Sequence, residues 1–336
     1  MSDSTVLFVT NHVPPDRAGA FRALHERVPL ELALFGGRSH HATAGLDDPG
    51  VPFRRIAQRE AHGLAASGRY AAVVCGTAGR VALPASFLGA RRAHTPFVLW
   101  SALWGDLDTP AHRAARPLLR HIHRRAAVVV GYGPHVSAYA RRLGARAVAV
   151  APQAVDNAFW ATPVAARPHP FTALFVGRDV PEKGLAVLRD AWGLAGIDDG
   201  RLSVVGADGV VGPEEVRNSY AAADVLVIPS LATRHFLEPW GLVANEAMNQ
   251  HLPVIATDAV GAAAGGLVRN ERNGLVVAAG DRDALAGALR RLHDDPGLRA
   301  ELGANGARDV AGYTHEAWAE GFAQALRAAT GRAVPC

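Results

Sequence analysis

The segment FVGRDVPEKGLAVLRDA (175–191) closes an apolar run at Gly177 and passes through a charged loop into a helical pattern that starts near Lys183. This spacing puts Arg178 and Lys183 at the carboxyl end of a strand, beside a helix N-terminus. Two cations, open backbone N–H groups and the positive end of a helix dipole converge there, a setting suited to an anion such as a phosphate. Of the 35 basic residues 34 are Arg, and Lys183 is the only Lys. Lys is a compact, flexible point charge, whereas Arg is a planar fork. The competing structural reading is a surface pair between Arg178 and Asp179 or Glu182.

A second segment, FLEPWGLVANEAMNQHLPVIATD (236–258), supplies carboxylates. Proline suits the first position of a helix because it lacks the N–H that is orphaned there, so Pro239 predicts a helix over 239–250. Glu238 then sits at the N-cap edge, and Gly241 lets a ligand approach the amides of Gly241, Leu242 and Val243. Glu246 lies two helical turns, ~12 Å, beyond Glu238. The two carboxylates are too far apart to share a proton, but they can grip the two ends of one elongated ligand. Among the 12 Glu this is the only pair at a spacing of eight. Taken singly, Glu238 also reads as a capping acid and Glu246 as a solvated helix residue.

The elements that must carry these residues alternate short apolar runs with amphipathic ones, the pattern of an α/β fold with parallel sheets. Strands are expected at 5–10, 30–35, 51–56, 71–75, 96–100, 126–130 and 147–151, with helices at 17–27, 58–69, 80–92, 110–125 and 134–143. The second half repeats the alternation, with strands near 171–176, 202–205, 224–228, 253–256 and 275–277. Its helices are expected near 183–194, 213–222, 239–250, 281–293 and 297–309, and a last one at 314–329. The proline-rich stretch 161–170 reads as a linker. The domains expected are 1–165, 166–312 and a terminal helix within 313–330. Two doubly wound sheets joined in this way face a central cleft at their carboxyl edges.

The order VGRxxPEKG, a strand ending at Pro229-Ser230, ExxGLxxxEAM and PVIATD resembles the retaining family-4 glycosyltransferases of GT-B fold, glycosyl transferases group 1. The resemblance is dense over 171–280 and weaker over 1–160, where TNHVPPDRAGAFRAL (10–24) is similar to the family's glycine loop. It implies two Rossmann-like domains and a final helix that crosses back to the first. It implies a hexosyltransferase-type enzyme (EC 2.4) that moves a sugar from a UDP-, GDP- or dTDP-sugar to a hydroxyl acceptor, with retention and without a metal or other cofactor. By similarity Arg178 and Lys183 clamp the diphosphate, Glu238 holds sugar hydroxyls and Glu246 the ribose. Gly19 lets the backbone approach the diphosphate, and Val211 with Gly212 walls the nucleobase. The family's His near the reacting sugar has no counterpart here, since PFVLW (96–100) runs into Ser101 and Ala102. Rival readings are an epimerase or phosphorylase of the same fold, or a non-catalytic two-lobed binding protein.

Composition bounds the alternatives. At 336 residues, 49% of them apolar, the chain can build two ordinary cores. The N-terminal apolar run stops at Asn11 and His12, which reads as a strand and not a signal peptide. No run approaches the ~20 apolar residues of a membrane span. The cysteines, Cys75 and Cys336, fit a reducing compartment, so a cytoplasmic protein is expected. Residues 1–165 hold 19 Arg against 10 acids, and 166–336 hold 16 basic residues against 21 acids. The basic first half suits an anionic surface or acceptor, or is a plain solvated face. The expected partners are the nucleotide sugar and a sugar, lipid-linked or small-molecule acceptor, with peripheral membrane contact through the basic domain and no nucleic acid. Asp106-Leu107-Asp108 matches the short signature of metal-dependent sugar transferases, but a metal is not expected there. The Arg-rich helix 112–125 carries an apolar stripe that reads as core, with His121 and His123 on the surface.

Overall fold

The computed structural model describes residues 5–36, 48–164 and 169–331. The expected domain boundary at 165/166 and Cys336 lie outside the described residues. The described residues divide into two compact units. One draws on the described residues within 1–106, 110–154 and 314–336, the other on those within 107–109 and 155–313.

The first unit opens with β1 (Val6–Thr10), α1 (Pro15–Arg27), β2 (Leu30–Leu34), β3 (Phe53–Arg55) and α2 (Ala61–Ala65). It continues through β4 (Ala72–Gly76), α3 (Ala82–Arg92), β5 (Phe97–Ser101), α4 (Pro110–Arg125), β6 (Val128–Gly131), α5 (Pro134–Arg142) and β7 (Val148–Val150). The seven strands are parallel in the order β3-β2-β1-β4-β5-β6-β7, so the winding reverses between β1 and β4. Val6–Thr10 is buried along its whole length, and apolar but for Thr10, because both faces are covered. The expected helix at 58–69 is a 3₁₀ turn, Gln58–Glu60, followed by the short α2.

The second unit runs α6 (Asn157–Trp160), β8 (Phe171–Val176), α7 (Leu185–Ala195), β9 (Gly200–Val205), α8 (Pro213–Ala221) and β10 (Val225–Ile228). It then forms α9 (Val243–Asn249), β11 (Val254–Thr257), α10 (Gly261–Ala264), β12 (Gly274–Val277), α11 (Arg282–Asp294) and α12 (Pro296–Val310). Its parallel order is β12-β11-β10-β8-β9, which reverses between β8 and β10. The last helix, α13 (His315–Thr330), belongs to the first unit. Thr314 caps it, accepting a hydrogen bond from the Ala317 N–H at 3.1 Å.

Each sheet buries both faces. On one side of the first sheet α1 and α13 close over an aromatic cluster in which Phe8, Phe21, Trp100, Trp318 and Phe322 meet with centroids 4.4–6.4 Å apart. Gly321 allows α13 to lie on β7, since a Cβ there would overlap the Val150 carbonyl. On the other side Leu83 and Phe87 of α3, Ile122 of α4 and Ala140 of α5 pack on Val73, Leu99 and Val129. His123 is fully buried and not on the surface as expected. It follows Ile122 on the inward face, and its Nδ1 lies 2.7 Å from the Leu119 carbonyl. Burial lowers its pKa. Cys75 sits in the same layer with its thiol pushed up to about 12 by burial.

Candidate functional site

Ligands of open α/β sheets bind beyond the carboxyl ends of the strands where the winding reverses. In the second unit that point lies between β8 and β10. The chain leaving β8 turns at Gly177, exposes Arg178, and forms a 3₁₀ turn over Pro181–Lys183. The helix that follows begins at Leu185, two residues later than expected. Between them stands Gly184 with φ 70°, and a Cβ there would overlap the carbonyl of Pro229, just beyond β10. Only glycine meets both demands, the left-handed backbone and the close approach. A hydrogen bond from Leu231 N to the Glu182 carbonyl, 2.9 Å, ties the same two loops together.

This junction brings Lys183 onto Glu238. The ammonium donates to Glu238 Oε2, and the Ser230 hydroxyl donates to the same oxygen at 3.2 Å. The Lys183 Nζ also stands 5.7 Å from the Phe236 ring centroid. Glu238 is buried, its side chain 9% exposed against 20% for Lys183. Three N–H donors are available on an ammonium, so Lys183 keeps two after serving Glu238. Arg178 is exposed and makes no ion pair among the described residues. Asp179 pairs instead with Arg189, at 3.2 Å.

The segment around Glu238 departs from expectation. The helix begins at Val243 and not at Pro239, and it spans seven residues. Residues 238–240 instead bond to the turn into α10. Glu238 bridges Val260, its carbonyl accepts the Gly261 N–H at 3.1 Å, and the Trp240 carbonyl accepts the Ala262 N–H at 2.7 Å. Those backbone bonds outweigh the propensity of proline to start a helix. Gly241, at φ 90°, then turns the chain into Leu242 and α9. A Cβ on Gly241 would stand 3.9 Å from Glu238 Cγ, so this turn lies against the carboxylate.

Glu246, in α9, receives the Tyr220 hydroxyl at 2.6 Å. Tyr220 is fully buried in α8, with its pKa well above the ordinary value through burial and the neighbouring Glu246 charge. The hydroxyl is a fixed donor that aims the carboxylate. Tyr220, Ser230 and Phe236 are the site neighbours that reading the sequence missed. Ser230 alone had a signal, as the end of an apolar strand. Val211 is half-buried and Gly212 is exposed, in the loop before α8.

Gly19 belongs to the first unit and lies inside α1, not in an open glycine loop. A Cβ there would overlap the imidazole of His315 in α13, whose Nε2 lies 3.0 Å from the Asp16 carbonyl. The residue is therefore needed for two helices to touch. Beside it Arg17 is 8% exposed, with its guanidinium 5.4 Å from the Trp100 ring centroid. Asp106 accepts from Tyr139 at 2.8 Å and faces Arg116 at 3.5 Å, while Asp108 pairs with Arg234 at 3.6 Å. The two acids of that short motif are thus turned to different partners.

Residues 209–309 match the family model described as glycosyl transferases group 1. The chain carries a segment similar to the glycosyl transferases group 1 family. It covers α8 through α12 nearly entirely and so includes Glu238, Gly241 and Glu246. A D-inositol 3-phosphate glycosyltransferase of Rhodococcus erythropolis is 37% identical over 117 residues, 35% of this chain and 25% of that protein. Another of the same description, from Streptomyces avermitilis, is 41% identical over 101 residues, 29% of this chain and 20% of that protein. The chain thus spans about a quarter of the length of the curated relatives it matches. In fold the likeness is far wider. Sucrose-phosphate synthase of Thermosynechococcus elongatus aligns over 96% of this chain and 98% of its own, with TM-score 0.73 and 20% identity. Anabaena HepE, solved with UDP and glucose, aligns over 96% and 99%, with TM-score 0.72 and 18% identity. The fold around the group 1 segment is GT-B, two parallel-sheet α/β domains.

Proposed function

We propose that the protein is a hexosyltransferase-type glycosyltransferase (EC 2.4) that takes its sugar from a nucleoside diphosphate sugar and passes it to a hydroxyl acceptor. The observation that carries this reading is the meeting of Lys183, Glu238 and Ser230 at the β8/β10 reversal, inside or next to the group 1 segment. As the bond from the anomeric carbon to the diphosphate breaks, negative charge grows on the departing phosphate. Arg178 and the two remaining Lys183 donors answer that charge, and the turn at Gly241, Leu242 and Val243 offers backbone N–H groups beside them. With fixed cations in that role the transfer runs without a metal or other cofactor. Glu238 orients sugar hydroxyls and Glu246 takes the ribose. Val211 borders the base, and the reaction proceeds with retention as in the family the motifs resemble. The acceptor is a sugar, a lipid-linked sugar or a small molecule, in the cytoplasm, with the basic first unit suited to peripheral membrane contact. Gly19 is proposed as a packing residue and not as a diphosphate contact.

Because the Anabaena neighbour is solved with UDP, UDP leads the test, followed by GDP, dTDP and ADP. A nucleotide at 100 times its dissociation constant stabilises the protein by ~2.7 kcal/mol, and one of the four is expected to do so. With that donor class in hand, Lys183→Ala and Arg178→Ala should each lower turnover by ~10²–10³. The reading is wrong if no nucleoside diphosphate shifts the melting transition, or if both variants turn over normally.

A further inference from the structure

One face of the first unit has a charge pattern that the donor site does not use. Between Glu60 and Asp156 the only carboxylates are Asp106 and Asp108. The same stretch holds eleven Arg from Arg80 to Arg146, ten of them exposed. Asp106 is turned to Tyr139 and Arg116, and Asp108 to Arg234.

Topology gathers these arginines. β4, β5, β6 and β7 are successive neighbours, and right-handed crossovers put their connecting helices α3, α4 and α5 on one side of the sheet. The three helices adjoin. Phe87 of α3 meets His121 of α4 at 5.7 Å between centroids, and a Cβ on Gly144, just after α5, would press on Arg124 of α4. None of α3, α4 and α5 contains an acid. The opposite side differs, because α1 and α13 mix Asp16, Glu26, Glu316 and Glu320 with their arginines.

Apolar side chains stand among the cations. Val81, at the start of α3, is 50% exposed, Leu88 is 57% exposed and Leu118 of α4 is 45% exposed. Val81 and Leu88 are two helical turns apart and so share a helix face. Nucleic acid offers phosphates but no apolar phase for such residues. An anionic bilayer offers both, an acidic headgroup layer for Arg and acyl chains for Leu and Val.

We propose that the outer face formed by α3, α4 and α5 docks on an anionic lipid surface, with Leu88 and Leu118 inserted and the surrounding arginines in the headgroup layer. This localises the membrane contact of the proposed function and stands apart from its donor chemistry.

The test is flotation of the full chain with vesicles of phosphatidylcholine, alone or mixed with phosphatidylglycerol, at low and high salt. Binding is expected only to the mixed vesicles and is expected to weaken with salt. Leu88→Ser with Leu118→Ser should cut it about tenfold at low salt. Arg92→Glu, Arg120→Glu and Arg125→Glu together should cut it about a hundredfold or more. All five side chains are exposed, so the melting transition and its shift with the nucleotide that stabilises the native protein should be unchanged; absence of a shift in the native protein with any of UDP, GDP, dTDP and ADP would instead count against the donor reading. Equal binding to both vesicle types overturns the proposal. So does tight binding to a DNA duplex that the arginine reversals abolish and the serine variants leave intact, which assigns the face to nucleic acid.

Discussion

Lys183 and Glu238 form a partly buried ion pair, and a mutant cycle across it tests the geometry of the site without assuming any activity. Removing one member of a buried pair costs ~3–5 kcal/mol, because the other charge is left without a counter-ion. The Lys183 side chain keeps 20% of its exposure, and Ser230 continues to donate to Glu238. Both lower the cost, so Lys183→Met should destabilise by about 1–3 kcal/mol, still leaving a carboxylate whose side chain is only 9% exposed. Glu238→Gln should cost less, since its amide oxygen can accept from Lys183 and the ammonium reaches water. In the double variant neither charge remains. The double should therefore cost about 1–2 kcal/mol less than the sum of the singles. Each kcal/mol moves the melting temperature of a unit this size by about 2–4 °C. Thermal and urea unfolding of the four proteins give the coupling. If the singles add within about 0.5 kcal/mol, the two groups do not interact and the site as described is wrong.

Gly19→Ala should lower the melting temperature by disturbing the α1–α13 contact at His315, while the folded variant keeps its UDP affinity; a weakened affinity at unchanged stability would restore the diphosphate role for Gly19. Tyr220→Phe removes the donor that aims Glu246 and should raise the dissociation constant of the nucleotide that stabilises the wild type by up to about tenfold, read by calorimetry, an expectation refuted if affinity is unchanged. Asp309 is held below the ordinary carboxylate range by the Arg272 guanidinium, with Asn273 and Arg269 adding to it. Its folded pKa is the depressed one, so its stabilisation is complete above the unfolded value of about 3.9 and is lost as pH falls through the lower folded value. Urea midpoints of the wild type should therefore fall in that acid window more steeply than those of Asp309→Asn.

How much of this was legible in the residues follows from the range of the forces involved. Local pattern was enough for the alternation of strands and helices and for the loop position of Arg178 and Lys183 beyond a strand, but not for the two-turn helical spacing of Glu238 and Glu246, because Glu238 lies outside α9. Each of those readings depends on neighbours within one or two turns, or on a strand whose two covered faces demand apolar side chains throughout. Local propensity failed where distant backbone competed with it. Pro239 does not start a helix, because residues 238–240 bond to residues 260–262. Glycine is ambiguous in sequence for the same reason. Gly19 and Gly184 both admit a close approach, but what approaches is an imidazole from the end of the chain in one case and the Pro229 carbonyl in the other.

An α/β chain with two parallel sheets, and residue types able to meet a diphosphate, follow from the residues read in order. Which charges meet depends on how the chain packs. Lys183 finds Glu238 across 55 residues and Glu246 finds Tyr220 across 26. Packing also turned a scatter of arginines into one face of three helices that contain no acid, since strand order, not sequence spacing, puts α3, α4 and α5 side by side. Such pairings arise from chain segments brought together by burial of the two sheets, and no periodicity within a segment encodes its partner.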